Sequence, residues 1–314
     1  MTESTRWSAA ELPDLSGKVF VVTGGNSGLG LETARELARK GGHVVIACRD
    51  AERAATALSQ IRATARGTSV EAMDLDLANL ASVRAFAEGF RAGYRRLDAL
   101  CNNAGVMALP YRKTKDGFEM QLGTNHLGHF ALTGHLLDIL GATPGARVVN
   151  VSSTMHRIGR MRFDDLQSER SYGKWRAYGQ SKLANLLFTY ELARRAEKAA
   201  VDLVSVAAHP GYAATNLQTA GPRMEGAALM ERVSLLGNRL FAQTSAMGAL
   251  PTLYAATAPE VRGGDYFGPS GVGEMWGSPK KVASSARSHD LESAVRLWQI
   301  SRELTGIHFS GLGD

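Results

Sequence analysis

The sequence predicts an α/β protein built as a doubly wound parallel sheet with helices on both faces, in a single domain. Three observations predict it. From Lys18 onward short apolar runs alternate with longer amphipathic stretches, the pattern of repeated βα units. The apolar runs are near-continuous in Val, Ile, Leu and Ala, as strands covered on both faces require. The first run passes through a glycine cluster directly into a helical pattern, which marks the ligand-binding turn of such sheets.

Taken in order, the strand runs are VFVVTG (19–24), HVVIAC (43–48), SVEAMDL (69–75), LDALCNN (97–103), ARVVNVSS (146–153) and VDLVSVAAH (201–209). Helical patterns lie between them at 28–40, 50–65, 79–92, 117–140 and 176–199. In the last, Leu183, Leu186, Leu187, Tyr190 and Leu192 recur at helix spacing. Right-handed crossovers make the doubly wound order the expected topology. The first 17 residues read as an arm on the surface. Beyond His209 the period is lost across 212–245, turn signals gather in GVGEMWGSPKK, and a final helix is expected at 290–304.

Composition narrows the function class. Hydrophobic residues make 44% and charged residues 21% of the chain, an ordinary globular balance. No stretch approaches the roughly 20 apolar residues of a membrane span, and the opening MTESTRWSAAELPDL lacks a secretory pattern, so a cytoplasmic protein is expected. The net charge is +6, but Lys and Arg are dispersed among acids, so no nucleic-acid partner is expected. Cys48 and Cys101 lie near the ends of apolar runs without a CxxC or Cys/His cluster, so neither a metal nor a disulfide framework is expected.

The glycine cluster reads Thr23-Gly24-Gly25-Asn26-Ser27-Gly28-Leu29-Gly30. Glycines there permit a tight turn and let the backbone approach a pyrophosphate, while the helix that follows offers free N–H groups and a positive dipole end. This predicts a dinucleotide. Where a ribose-binding acid would stand at the end of the second strand, the sequence has Cys48 and Arg49. An arginine pairs with a 2′-phosphate, so NADP(H) is expected over NAD(H), with Asp50 keeping the latter as an alternative. Asp76 and Leu77 follow the third strand, where a carboxylate and backbone groups can meet adenine; Asp76 equally suits an N-cap for the helix starting near Asn79.

At the other end Tyr178 and Lys182 stand four apart at the start of a helix and share a face. The ammonium is expected to lower the tyrosine pKa from near 10, making Tyr178 an acid or base toward a carbonyl oxygen. Ser153 ends the fifth strand, with its hydroxyl at the carboxyl edge of the sheet.

These elements together resemble the short-chain dehydrogenase/reductase superfamily over residues 17–216, the core of its Rossmann fold. The matching motifs are the TGxxxGxG loop at 23–30, Asn102-Asn103-Ala104-Gly105, Asn125, the NVSS ending at Ser153, YxxxK at 178–182 and His209-Pro210-Gly211. The resemblance implies a catalytic tetrad. Asn125 would hold a water against Lys182, Ser153 would orient the substrate oxygen, Tyr178 would transfer the proton, and Lys182 would also grip the nicotinamide ribose. It implies that Asn103, Ala104 and Gly105 line the adenosine ribose side and that Pro210, Gly211 and Thr215 approach the nicotinamide carboxamide. ACRD at 47–50, KTKDGFEMQLGTNHLGHFALT at 113–133 and the 25-residue interval from Ser153 to Tyr178 look like the branch containing retinol dehydrogenases and their bacterial relatives. The lengthened segment 154–176 is expected to loop out beside the site, 212–245 to cover the substrate, and 246–314 to form a C-terminal extension.

The expected activity is NADPH-dependent interconversion of a carbonyl and an alcohol on a small lipophilic molecule, in a protein that could form a homo-oligomer. A nucleotide-sensing scaffold and an NADPH-dependent double-bond reductase are the alternatives; the intact tetrad argues against the first. His126, His129 and His135 read as core or helix-face residues rather than metal ligands. His209 reads as shaping the loop before Pro210. Arg157, Arg160 and Arg162 read as solvated, and Met107, Met155, Leu217, Met224, Met230 and Phe241 serve either a pocket or helix packing.

Overall fold

A computed structural model describes residues 7–65, 67, 69–213 and 243–313. Strands β1 (Val19–Thr23), β2 (His43–Cys48), β3 (Val70–Asp74), β4 (Ala99–Asn102), β5 (Ala146–Val151), β6 (Leu203–Ala208), β7 (Tyr266–Pro269) and β8 (Pro279–Lys281) form one sheet in the order 3-2-1-4-5-6-7-8. All neighbouring pairs are parallel except β7 with β8. The direction of winding reverses between β1 and β4, and the crevice at their carboxyl ends is the place where such a sheet binds ligands.

Helices flank both faces: α1 (Gly28–Arg39), α2 (Ala51–Thr64), α3 (Leu80–Gly93), α4 (Met120–Leu122), α5 (Gly128–His135), α6 (Leu137–Gly141), α7 (Lys174–Lys198), α8 (Ser245–Thr257) and α9 (Leu291–Thr305). The alternation of strand side chains explains the continuous apolar runs. Val19 and Val21 of β1 join the core beneath α3, α5, α7 and α9, whereas Phe20 and Val22 join the core beneath α1, α2 and α8. The N-terminal arm is more than surface decoration, since Leu12 and Leu15 are buried and Trp7 meets Tyr254 edge to face.

Two regions differ from the sequence expectation. The helix expected at 117–140 is broken by a π-turn, Gly123–Leu127, between α4 and α5. Such a turn inserts one residue and reorients the side chains on either side of it. The other region lies beyond His209, where β7, β8 and α8 were not foreseen. β8 is a three-residue edge carrying Lys280 and Lys281, β7 ends in Gly268-Pro269, and α8 is apolar with little periodicity because it lies against both α1 and the sheet. Thr215, Leu217, Met224, Met230, Phe241 and most of the expected covering segment 212–245 lie outside the described residues.

Candidate active site

At the switch point β1 and β4 are stitched together by Thr23. Its hydroxyl accepts from the backbone N–H of Asn103 and of Ala104, both at 2.9 Å, and its carbonyl accepts from Asn103 Nδ2 at 2.7 Å. Thr23 Oγ1 also meets His129 Nε2 at 2.9 Å, while His129 Nδ1 meets the carbonyl of Asn125 at 3.0 Å. His129 thus links the glycine loop to the π-turn. Sequence reasoning left it as a core histidine, although its place four residues after Asn125 in a helix was the available signal.

The loop from Gly24 to Gly30 fits a dinucleotide. Ser27 caps α1 without spending its side chain on the helix, and the first amides of α1 face the crevice end of the sheet. Gly30 allows the close approach: a Cβ there would strike the Gly24 carbonyl and lie 2.5 Å from Asn103 Nδ2. On the adenosine side Arg49 Nη1 and Asp76 Oδ1 stand 4.0 Å apart, so the ends of β2 and β3 present both residues together. Asp50 is otherwise engaged, capping α2 through Arg53 N–H and pairing with the Arg53 guanidinium. Asp76 is not the N-cap of α3; Asn79 is, and Asp76 closes a turn onto Ala78 N–H. Leu77 is buried beside it.

Tyr178, Lys182 and Asn125 are 5%, 3% and 0% exposed, so all three sit in a nearly dry setting. Ser153 N-caps the short 3₁₀ turn Thr154–Arg157 by accepting from Met155 N–H, which fixes its hydroxyl at the end of β5, close enough to Tyr178 to act on its phenol. Lys182 Nζ donates to the Val151 carbonyl at 3.0 Å and lies 5.7 Å from the centre of the Tyr178 ring. Gly105 packs against Lys182 Nζ and the Asn125 amide. The structure therefore brings Ser153, Tyr178, Lys182, Asn125 and Gly105 to one place.

Two details correct the expectation. Burial pushes the Tyr178 phenol up to about 12, with the Ser153 hydrogen bond working in the opposite direction, and burial pulls the Lys182 ammonium down to about 8. Desolvation is the largest cause of both shifts and disfavours the charged form of each group. The Asn125 amide hydrogens are also both spent: Oδ1 accepts from Val106 N–H at 2.8 Å, and Nδ2 donates to the Val106 carbonyl and to Ser181 Oγ, each at 2.9 Å. Any water it holds must donate to a remaining lone pair of Oδ1 or of the main-chain carbonyl, because no amide hydrogen is left to offer it.

The 154–176 segment does not loop out freely. Gln180 accepts from Arg162 N–H and donates to the Leu166 carbonyl, while Gln121 donates to Tyr172 Oη and the Lys174 carbonyl. Two buried glutamines thereby pin it across α4 and α7. His126 and His129 are buried, and burial pulls them down to about 3 and about 4. His126 bonds Ser301 Oγ of α9 at 2.9 Å. His209 shapes its loop as expected, accepting from Gly211 N–H at 3.2 Å. Arg157 and Arg162 pair with Glu274 and Asp165.

Residues 18–226 match the family described as short chain dehydrogenase. The chain belongs to that family. Among curated relatives, human retinol dehydrogenase 12 is 46% identical over 297 residues, covering 94% of this chain and 88% of that protein. Human retinol dehydrogenase 11 is 42% identical over 302 residues, with coverage of 96% and 88%. A solved structure of an uncharacterised protein from Mycobacterium paratuberculosis is 43% identical, covers 97% of this chain and 99% of its own, and superposes with a TM-score of 0.80. The short-chain dehydrogenase fold extends to Pseudomonas aeruginosa RhlG, solved as an NADP active-site complex, at 23% identity and a TM-score of 0.62 over 80% of this chain and 94% of that one. The protein is thus an NAD(P)-dependent oxidoreductase acting on CH–OH and C=O groups, in the retinol dehydrogenase-like branch.

For this dehydrogenase the Gly30 contact gives a direct test. Gly30→Ala is expected to weaken NADPH binding by about tenfold or more, or about 1.4 kcal/mol, measured as loss of nucleotide fluorescence enhancement. Unchanged affinity would show that the Gly24 carbonyl moves aside without cost.

Proposed function

We propose that this dehydrogenase uses NADP(H) in preference to NAD(H) and reduces a lipophilic aldehyde or ketone. The observation that carries the cofactor preference is the Arg49–Asp76 pair at the ends of β2 and β3, together with the use of Asp50 as a helix cap. A guanidinium that is 68% exposed is available to a 2′-phosphate, and the carboxylate that would otherwise bind the ribose hydroxyls is engaged elsewhere. The substrate class is supported by the exposed Ile158, Trp175, Tyr212, Met247, Met275 and Trp276, which stand on the loops and helix ends following the strands, and by the retinol dehydrogenases among the relatives.

The loop at Gly24–Gly30 with Arg49 would hold the nucleotide, and Lys182 the ribose near the reacting carbon. A bound nicotinamide supplies or accepts the hydride. Ser153 Oγ orients the substrate oxygen beside the Tyr178 hydroxyl. With its pKa pushed up to about 12, Tyr178 carries its proton at neutral pH, the form that reduction requires of an acid. Asn125 braces the wall behind Lys182 by pairing with both backbone groups of Val106.

The test titrates the protein with NADPH and NADH, then measures turnover of a panel of aliphatic, aromatic and polyene aldehydes. Arg49→Ala is expected to weaken NADPH binding by about tenfold and to leave NADH nearly unchanged. Equal loss for both nucleotides, or NADH preference in the wild type, would refute the assignment.

A further inference from the structure

A carboxylate from the C-terminal extension reaches the turn that follows β6, at the end of the sheet where Ser153 and Tyr178 lie. Glu274 Oε2 accepts from His209 Nε2 at 3.0 Å, and His209 Nδ1 accepts from the backbone N–H of Gly211 at 3.2 Å. The second fact decides the first: a ring nitrogen that accepts bears no hydrogen, so Nε2 is the donor to Glu274. The His209 ring is completely buried against Gly268, where any Cβ would strike it, and against the face of Tyr266 at 5.2 Å. Nothing in this arrangement lets the imidazole turn away.

The same carboxylate reaches a second loop. Its Oε1 accepts from Arg157 Nη2 at 3.3 Å, and Arg157 closes the 3₁₀ turn that begins after Ser153 and also donates to the Ala283 carbonyl. Glu274 therefore ties the turn after β5 to the turn after β6. The backbone is bent to put it there. Glu274 has φ +59°, the left-handed region that a non-glycine residue enters at a cost, and Gly211 opposite it has φ +65°. A Cβ on Gly211 would lie 2.7 Å from Pro269 Cγ and 2.9 Å from the Glu274 carbonyl, so the two turns touch backbone to backbone. Tyr212 N–H donates to the Met275 carbonyl, and Gln243 Nε2 donates to the Pro210 carbonyl, completing the seam.

We propose that Glu274 is a positioning residue that acts through His209 to set the Pro210–Gly211 turn against the nicotinamide end of the cofactor. The proposal rests on the reading of Pro210 and Gly211 as cofactor contacts. Its role is geometric: a carboxylate of the right reach fixes the imidazole, and the imidazole fixes the Gly211 amide. Reach matters more than charge. Glutamine keeps an oxygen that accepts from His209 Nε2 while giving up the contact with Arg157, whereas aspartate keeps the charge, tolerates the left-handed backbone, and withdraws the oxygen by one methylene.

The experiment compares Glu274→Asp, Glu274→Gln and Glu274→Ala with wild type, reading amide exchange at Gly211, NADPH affinity by fluorescence, and melting temperature. Asp and Ala are expected to speed Gly211 exchange and to weaken NADPH binding by about tenfold, with melting temperatures near wild type; Gln is expected to remain close to wild type in all three. Wild-type exchange and affinity in the Asp variant overturn the proposal, as does a Gln variant as damaged as Ala. If Ala fails to fold, the Asp and Gln pair still decides. A wild type that binds no nicotinamide nucleotide refutes the proposed function instead, a result distinct from unaltered exchange at Gly211.

Discussion

Tyr178→Phe is expected to lower kcat by about 10²–10⁴, the usual contribution of a positioned proton donor, while leaving NADPH affinity within about twofold of wild type. The hydroxyl is the only group removed, and the ring stays packed at 5% exposure. Losing a phenol pushed up to about 12 also removes desolvated polar surface, so stability should hold or rise slightly. The decisive measurement is single-turnover NADPH oxidation at saturating carbonyl, which separates chemistry from binding. Near-normal turnover would assign the proton to another group, and the dry pocket around Tyr178 offers Ser153 as the nearest.

Lys182→Met should produce an inactive protein that is more stable at neutral pH. In the folded chain burial holds the ammonium down to about 8, against 10.5 for a lysine in water. Between those pH values the unfolded chain binds a proton that the folded chain does not, so this residue makes stability rise with pH across that window. Below pH 8 the cost of burying the charge is carried in full. Methionine removes that cost, and the Val151 carbonyl keeps a donor in Asn185 Nδ2 at 3.1 Å. The expected result is a higher melting temperature for the variant at pH 7 and a gap that closes toward pH 10.5, with turnover down by about 10³. A variant that melts lower at pH 7 would show that the Lys182–Val151 bond outweighs desolvation.

The parts of the fold that the sequence reveals are those whose physics is local. Strands buried on both faces read as unbroken apolar runs, so β1, β2, β4, β5 and β6 stand out, and the Thr23–Gly30 turn stands out because only glycine fits there. Tyr178 and Lys182 are separated by one helical turn, which a single sequence displays. The rest depends on contacts between distant segments. The π-turn at Gly123–Leu127 carries no composition mark, since Gly, Thr, Asn, His and Leu in a row read equally well as part of a regular helix. The pairing of the Asn125 amide with both backbone groups of Val106 is a contact that side-chain reading cannot see. The tyrosine was misjudged because helical spacing reports the neighbouring ammonium and says nothing of burial. Glu274 lies in a string of glycines that reads only as a turn, although it meets His209 65 residues earlier.

The position of α9 has a consequence for how the molecule is made. Trp298 packs with Phe130, Phe188 and Phe309, and Ser301 bonds His126 inside the π-turn, so the last helix supports the wall behind Asn125. A chain emerging from the ribosome can pair β1 to β6 and form the glycine loop early, because those contacts use the first two thirds of the polypeptide. The reaction chamber waits for segments synthesised last. Ribosome-bound nascent chains halted before Leu291 should acquire the dinucleotide half of the site while His126 and the aromatic cluster remain unpartnered, leaving a sticky face for chaperones until the C-terminal helix arrives.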